Sequence, residues 1–310
     1  MKIVFLDAST MGEDIDLSAF HAFGEFKTFD TTDAAQRVEH IGDADIVMSN
    51  KVVIDQAVMD TCQNIKLICV TATGTNNVDL AYAKAKGIDV KNVAGYSTAS
   101  VAQTTIMLVL DLIGKSAYYD RFVKNGGWVK SPSFTHIEKP FWEIKGKRWG
   151  IIGLGTIGKE VAKIANAFGA EVVYYSTSGS NNDAMYERLP LEAMLKTCEI
   201  ITIHAPLNDQ TRGLIDANAL AMMQEGSVLV NVGRGGIVDE AALAKIVDEK
   251  ELYVGLDVLE TEPMKAYHPL LHVKHQERLI ITPHIAWASV EARKKLMALV
   301  AENIRTFINK

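Results

Sequence analysis

The chain has 310 residues, of which 48% are apolar, and 32 basic against 38 acidic side chains leave a formal net charge of −6. That length exceeds one ordinary domain and supplies apolar residues for two cores, so two domains of unequal size are expected. The acidic balance, with no block of consecutive basic residues, lacks the electrostatic footprint of a nucleic-acid partner.

The N-terminal "MKIVFLDAST" holds a short apolar run before Asp7. It is too brief for a membrane span or a signal-peptide core, so a cytoplasmic protein with no membrane partner is expected. "KIVFLD", "ADIVMSN", "KLICVT" and "IDVKNV" then read as four strands separated by helix-length stretches, which is a βα repeat on a parallel sheet. Cys62, Cys69 and Cys198 show neither C-x-x-C nor metal-ligand spacing and read as reduced, buried thiols, with no metal site.

"TASVAQTTIMLVLDLIGKSAYYDRF" is apolar at helical spacing for several turns. Gln103, Asp111 and Lys115 interrupt it well short of ~18 uninterrupted apolar residues, so it reads as a buried helix linking the domains and packing on both. Residues 125–145 follow, with Trp128, Phe134, Phe141 and Trp142 among Gly, Pro and Ser, as an interdomain cover or a contact with another chain. A second series begins near Trp149: "RWGIIG", "EVVYYS", "EIITIH", "SVLVNV", "YVGLDV" and "RLIITP" give six strands with helical intervals.

Gly153, Gly155 and Gly158 form G-x-G-x-x-G between an apolar strand and an amphipathic helix. In that context the first glycine permits a tight turn, the second lets backbone approach a pyrophosphate, and the third lets helix and strand pack closely. The helix start, with Thr156 and Ile157, offers unpaired N–H groups to an anion, so a dinucleotide site is expected there. The next strand ends in Ser176, Thr177 and Ser178, where an NAD site usually carries Asp or Glu for the ribose 2′-hydroxyl. The absent carboxylate permits NADP as well as NAD. No arginine stands close in sequence to clamp a 2′-phosphate, so an ordinary polar turn and a phosphate pocket are both open.

Three more strands end in chemistry: Arg234 in "NVGRGGIVDE", Asp257, Glu260 and Glu262 in "GLDVLETEP", and His284 in "TPHIAW". In a parallel sheet these ends share one edge, where ligands bind. Together with the glycine loop and "HAPLNDQTRGLI", these segments make the whole chain resemble the D-isomer-specific 2-hydroxyacid dehydrogenase family, in its glycerate dehydrogenase or hydroxypyruvate reductase branch.

The resemblance implies a Rossmann domain at 98–284 inserted into a smaller flavodoxin-like α/β substrate domain, 1–97 plus 285–310. It implies a catalytic set of Arg234, Glu262 before its proline, and His284, with Glu260 a decoy. Histidine, with a reference pKa of ~6.5, suits proton donation to the oxygen of a 2-keto acid while hydride reaches C2. A neighbouring Glu262 would favour the imidazolium. Arg234 would hold the substrate carboxylate. By the same resemblance, Thr73 and Gly74 bind that carboxylate through their backbone, His204, Pro206 and Thr211 line the cofactor's adenosine and phosphate side, and Asp257 meets the nicotinamide. Gln103 departs from the family's usual Glu.

Trp287 either closes the pocket around a small hydroxylated acid or lies in the core behind it. The substrate is expected to be hydroxypyruvate or glyoxylate. The alternatives are 3-phosphoglycerate, although the chain ends at Lys310 without room for a regulatory domain, and an NAD(H)-sensing, corepressor-like binding protein. The apolar helix and aromatic segment point to a homodimer.

Overall fold

The computed structural model describes residues 1–310 and divides them into two compact units, Met1–Ser97 with Trp287–Lys310, and Thr98–Ala286. In the smaller unit β1 (Lys2–Phe5), β2 (Glu25–Thr28), β3 (Ile46–Ser49), β4 (Leu67–Val70) and β5 (Asp89–Lys91) alternate with the short helices α1 (Arg37–Ile41), α2 (Gln56–Thr61) and α3 (Leu80–Ala85). All pairings are parallel, in the order β2-β1-β3-β4-β5. This is the flavodoxin-like 2-1-3-4-5 arrangement. Sequence inspection misses β2: its "EFKT" is an edge strand with no fully buried residue, so no apolar run announces it.

The larger unit opens with α4 (Thr98–Gly114) and α5 (Ser116–Lys124). The single long helix expected from periodicity is therefore broken. Lys115, between the two, takes a left-handed φ of 53°. Its ammonium lies 2.9 Å from the Tyr253 hydroxyl and 4.8 Å from the centre of that ring, which holds the break in place.

Then come β6 (Arg148–Ile152), α6 (Thr156–Ala167), β7 (Glu171–Tyr175), the two-residue β8 (Glu187–Arg188), α7 (Leu191–Thr197), β9 (Ile200–Ile203), α8 (Ala217–Met222), β10 (Val228–Asn231), α9 (Glu240–Glu249), β11 (Tyr253–Leu256) and β12 (Leu279–Ile281). The sheet order is β12-β11-β10-β9-β6-β7-β8, again parallel throughout. Counted within this unit, that is the doubly wound 3-2-1-4-5-6 pattern extended by one strand. Four-residue β9, β10 and β11 are buried along their whole length, as strands covered by helices on both faces must be.

The last helix, α10 (Val290–Ile308), belongs to the smaller unit. Alternate residues of that unit's strands face opposite ways. Val4, Val47, Ile68 and Val70 meet Val58, Met59 and Ala83 on one face of the sheet. Phe5, Ile46, Met48 and Leu67 meet Leu296, Val300 and Ile304 of α10 on the other. Each such buried aliphatic side chain contributes roughly 1.5–3 kcal/mol of transfer free energy, so α10 supplies half of a core. Cys62, Cys69 and Cys198 are buried and unpaired, and burial pushes the Cys69 thiol up to about 12 and that of Cys198 to about 11. No helix is long and apolar enough to cross a membrane.

Candidate active site

Because all strands of the large sheet run the same way, the loops after β6, β9, β10, β11 and β12 emerge at one edge. The chain reverses its winding between the adjacent β6 and β9, the crevice at which such sheets bind ligands. The loop after β6 fits a dinucleotide. Gly153 has a φ of 90°, and a Cβ on it would lie 2.9 Å from the Ala205 nitrogen. A Cβ on Gly158 would sit 2.3 Å from the Gly153 carbonyl oxygen, so the helix approaches the strand at glycine distance. A Cβ on Gly155 would meet nothing within 4 Å. Packing therefore does not require that glycine, whose open side is free for a ligand to approach. Gly155 also caps the twelve-residue α6 without any side-chain hydrogen bond, leaving the N–H groups about Thr156 and Ile157 for an anion.

His204, after β9, borders the same turn: its Nε2 lies 3.0 Å from the Thr202 hydroxyl, while its buried Nδ1 has no partner. Burial pushes this imidazole down to about 3, so it is neutral near pH 7. Pro206 is exposed. Thr211 has no exposed surface; its hydroxyl donates to the Pro206 carbonyl at 2.7 Å and accepts from the Asn208 N–H at 2.9 Å. It braces the loop from inside.

After β7, Ser176 is buried and its Oγ accepts from the Asn181 N–H at 3.3 Å. Thr177 is half-buried, and Asn181 Nδ2 reaches back to the Leu154 carbonyl of the glycine loop at 2.8 Å. Here the structure corrects the sequence reading. An arginine does stand close: Arg188 of β8 donates to the Gly179 carbonyl at 2.9 Å and to Asn182 Oδ1 at 3.2 Å. The two-residue strand that carries it has no signal of its own in the sequence.

Arg234 follows β10 on a loop stapled by buried Asn231, whose Nδ2 donates to the Arg234 carbonyl at 2.9 Å and whose Oδ1 accepts from the Gly233 N–H at 3.0 Å. The Arg234 side chain is exposed. Gly235 presses onto the next loop so tightly that a Cβ would fall 1.9 Å from the Leu259 carbonyl carbon. In that loop Glu262 accepts the Leu259 N–H at Oε1, 3.0 Å, and meets His284 Nδ1 at Oε2, 2.7 Å. Glu260 points elsewhere, to Arg212 at 3.3 Å on the exposed surface.

His284 has a left-handed φ of 55°, and its N–H donates to the carbonyls of Asp257 and Thr282, both at 2.9 Å. Asp257, 2% exposed, accepts from the Thr282 hydroxyl at 2.7 Å and from the Ile285 and Ala286 N–H groups at 2.9 Å. Its carboxylate is thus engaged beneath the His284 turn. Burial raises its pKa, while the Thr282, Ala286 and Ile285 hydrogen bonds pull the other way.

In the smaller unit, Thr73 is exposed and donates to the Val93 carbonyl at 3.0 Å, while its own carbonyl accepts from Asn92 Nδ2 at 2.6 Å. Gly74 beside it is half-buried. Trp287 packs against the core of that unit, with its ring edge-on to Tyr96 at 6.2 Å.

Residues 106–286 match the sequence model of the D-isomer specific 2-hydroxyacid dehydrogenase NAD binding domain. The chain belongs to the D-isomer specific 2-hydroxyacid dehydrogenase family. This dehydrogenase is 37% identical to a hydroxypyruvate reductase of Blautia hydrogenotrophica, covering 99% of this chain and 97% of that one. It is 35% identical to a glycerate dehydrogenase of Methylorubrum extorquens over 99% and 96% of the two chains. Its fold also matches the NADPH-dependent glyoxylate/hydroxypyruvate reductase of Sinorhizobium meliloti, solved with NADP and malonate, with a TM-score of 0.83 at 26% identity over 100% and 94% of the chains.

The last two motif glycines of this dehydrogenase differ in what a methyl group would strike. Gly158→Ala is expected to lower the melting temperature and cofactor affinity together. Gly155→Ala should leave the melting temperature unchanged while weakening dinucleotide binding by about tenfold, or about 1.4 kcal/mol. Thermal unfolding and fluorescence titration with NADH and NADPH test this; equal thermal losses in both variants would contradict it.

Proposed function

We propose that the chain reduces small 2-keto acids, hydroxypyruvate and glyoxylate above all, to D-glycerate and glycolate with NADH or NADPH. The observation that carries this reading is the Glu262–His284 pair at the carboxyl edge of the cofactor-binding sheet. The names of the relatives agree with it.

A bound nicotinamide dinucleotide supplies the hydride that reaches C2 of the keto acid. Gly153, Gly155 and Gly158, with the N–H groups at Thr156 and Ile157, hold its pyrophosphate. His204 and Pro206 border it, and Ser176, Thr177 and Arg188 surround its ribose. His284 gives a proton to the substrate's carbonyl oxygen as charge develops there, which completes the hydroxyl group; in the reverse direction it takes that proton back. With Nδ1 engaged by Glu262, Nε2 is the ring nitrogen left for the task. Arg234 pairs with the substrate carboxylate through its planar fork. Asp257 fixes the turn that aims His284.

Removal of the imidazole in His284→Ala is expected to lower kcat by ~10²-fold or more, with dinucleotide affinity unchanged. Glu262→Gln deletes the carboxylate 2.7 Å from the ring and should move the alkaline limb of keto-acid reduction to lower pH, because imidazolium loses its neighbouring negative charge. Glu260→Gln should leave that limb in place. pH–rate profiles decide: control of the limb by Glu260, or by neither residue, contradicts the assignment.

For the cofactor, the missing carboxylate at Ser176 and the nearby Arg188 guanidinium favour tolerance of a 2′-phosphate. NADPH is expected to be used within about tenfold of NADH or better, in kcat/KM, a span of about 1.4 kcal/mol. A thousandfold preference for NADH in initial-rate assays would overturn this.

A homodimer is the assembly we propose. The segment after α5 is shaped by the His136 ring stacked on Phe122 at 3.7 Å, yet it turns Val129, Phe134, Ile137 and Phe141 outward, with Val129 and Phe134 each 89% exposed. Met107 and Leu110 of α4 are exposed in the same unit and line a groove of about 670 Å³ with Gln103 and Glu160. So large an apolar surface calls for a partner, and a second copy satisfies it by two-fold symmetry. Analytical ultracentrifugation at micromolar concentration should give a dimer; a monomer would refute it.

A further inference from the structure

Glu240, the last residue of "NVGRGGIVDE", and His268, outside every motif used above, have no role so far, yet Glu240 touches the loop that carries Glu262 and His268 holds Glu240. Glu240 is the first residue of α9, a helix start fixed by Asp239, whose Oδ1 accepts from the N–H groups of Ala241 and Ala242 at 3.0 and 2.9 Å. Its two carboxylate oxygens are divided between two donors. Oε1 accepts the Glu260 N–H at 2.6 Å, and Oε2 meets His268 Nε2 at 2.8 Å. His268 Nδ1 accepts from the Leu270 N–H at 3.3 Å, so the ring proton resides on Nε2 and is directed at Glu240. The two side chains are only 10% and 11% exposed, so water does not compete effectively for these bonds.

The peptide between Leu259 and Glu260 is consequently held from several sides. Gly235 packs on it at a distance that excludes a Cβ and Glu240 takes the Glu260 N–H, while Glu262 takes the Leu259 N–H of the preceding peptide. The Glu262 oxygen that remains is the one on His284. A movement of that peptide therefore moves the Glu262 carboxylate relative to the imidazole.

We infer that Glu240, oriented by His268, is a positioning residue for the Glu262–His284 pair: it reads out in catalysis through Glu262 without touching substrate. This rests on the roles given to Glu262 and His284 above. The charged groups around the chain are few: His268 and the Glu260 backbone face Glu240, Arg212 holds the Glu260 side chain, and Asp257 lies beneath His284.

The near-isosteric Glu240→Gln is the appropriate probe. A glutamine offers one acceptor and one donor, so it cannot accept from both Glu260 N–H and His268 Nε2–H. Keto-acid reduction should slow by roughly 10- to 100-fold, the scale of a small misplacement in a site, and the alkaline limb should move in the same direction as in Glu262→Gln. In the double variant Glu240→Gln/Glu262→Gln the second change should add little, since both act on one pair. His268→Ala, which leaves Glu240 in place but unheld, should give a smaller shift of the same sign and serves if the glutamine variant folds poorly.

Full multiplicative losses in the double variant, or lowered thermal stability with an unmoved limb in both Glu240→Gln and His268→Ala, overturn the inference and leave the roles of Glu262 and His284 standing. An unmoved limb in Glu262→Gln itself overturns both.

Discussion

One buried carboxylate sets the geometry on which the candidate site depends. Asp257 follows its strand with both oxygens committed to the segment 282–286, and its carbonyl accepts the His284 N–H as well. A non-glycine residue in the left-handed region costs roughly 1–2 kcal/mol, so His284 keeps that backbone only because its neighbours are tied down on either side. Burial lifts the pKa of Asp257, and the folded value thus lies above the unfolded one. A carboxyl shifted in that direction contributes its stability below the unfolded pKa and loses it as pH rises through the folded value. The group is a burden on folding near neutrality, and what it secures in exchange is the placement of a histidine.

Around that fixed point the loops are held by close backbone approach more than by side-chain packing. Gly153 against Ala205, Gly233 against Ala205 and Gly235 against Leu259 each lie where a methyl group would intrude. These contacts link consecutive strand ends to one another, so the glycine loop, the Arg234 loop and the Glu262 loop form a connected rim. Rigid elements then carry the titratable groups, which is the condition for placing them to within a fraction of an ångström. Asn231 performs within one loop what Asp257 performs between two: a buried polar side chain satisfies backbone groups that a turn leaves unpaired.

The doubly wound sheet and the glycine loop were legible from the sequence because fully buried parallel strands read as apolar runs and because the glycines stood in strand–turn–helix context. The ordering of Glu262 over Glu260 came from family resemblance, and the structure puts the first on His284 and the second on a surface arginine. What escaped has physical reasons. Edge strand β2 and the minimal β8 bury too little to leave a pattern. The break at Lys115 falls at a residue type that does not by itself end a helix, with apolar residues on either side. Arg188 reaches the Ser176 loop through tertiary folding that local spacing does not encode. That the Thr211 hydroxyl braces its own loop through the Pro206 carbonyl is likewise visible only in the fold.

The return of α10 to the smaller unit bears on the order in which the protein can be made. Residues 1–97 leave the ribosome first, but one face of their sheet stays bare until Leu296, Val300 and Ile304 arrive, after the entire 98–286 unit has been synthesised. The larger unit has its core and both of its ends, joined where the Ser100 hydroxyl donates to the Ala286 carbonyl at 2.6 Å, before that moment. The second-made unit is thus the first that can be completed. During the interval, the N-terminal strands present an uncovered apolar surface of the sort that chaperones engage on nascent chains.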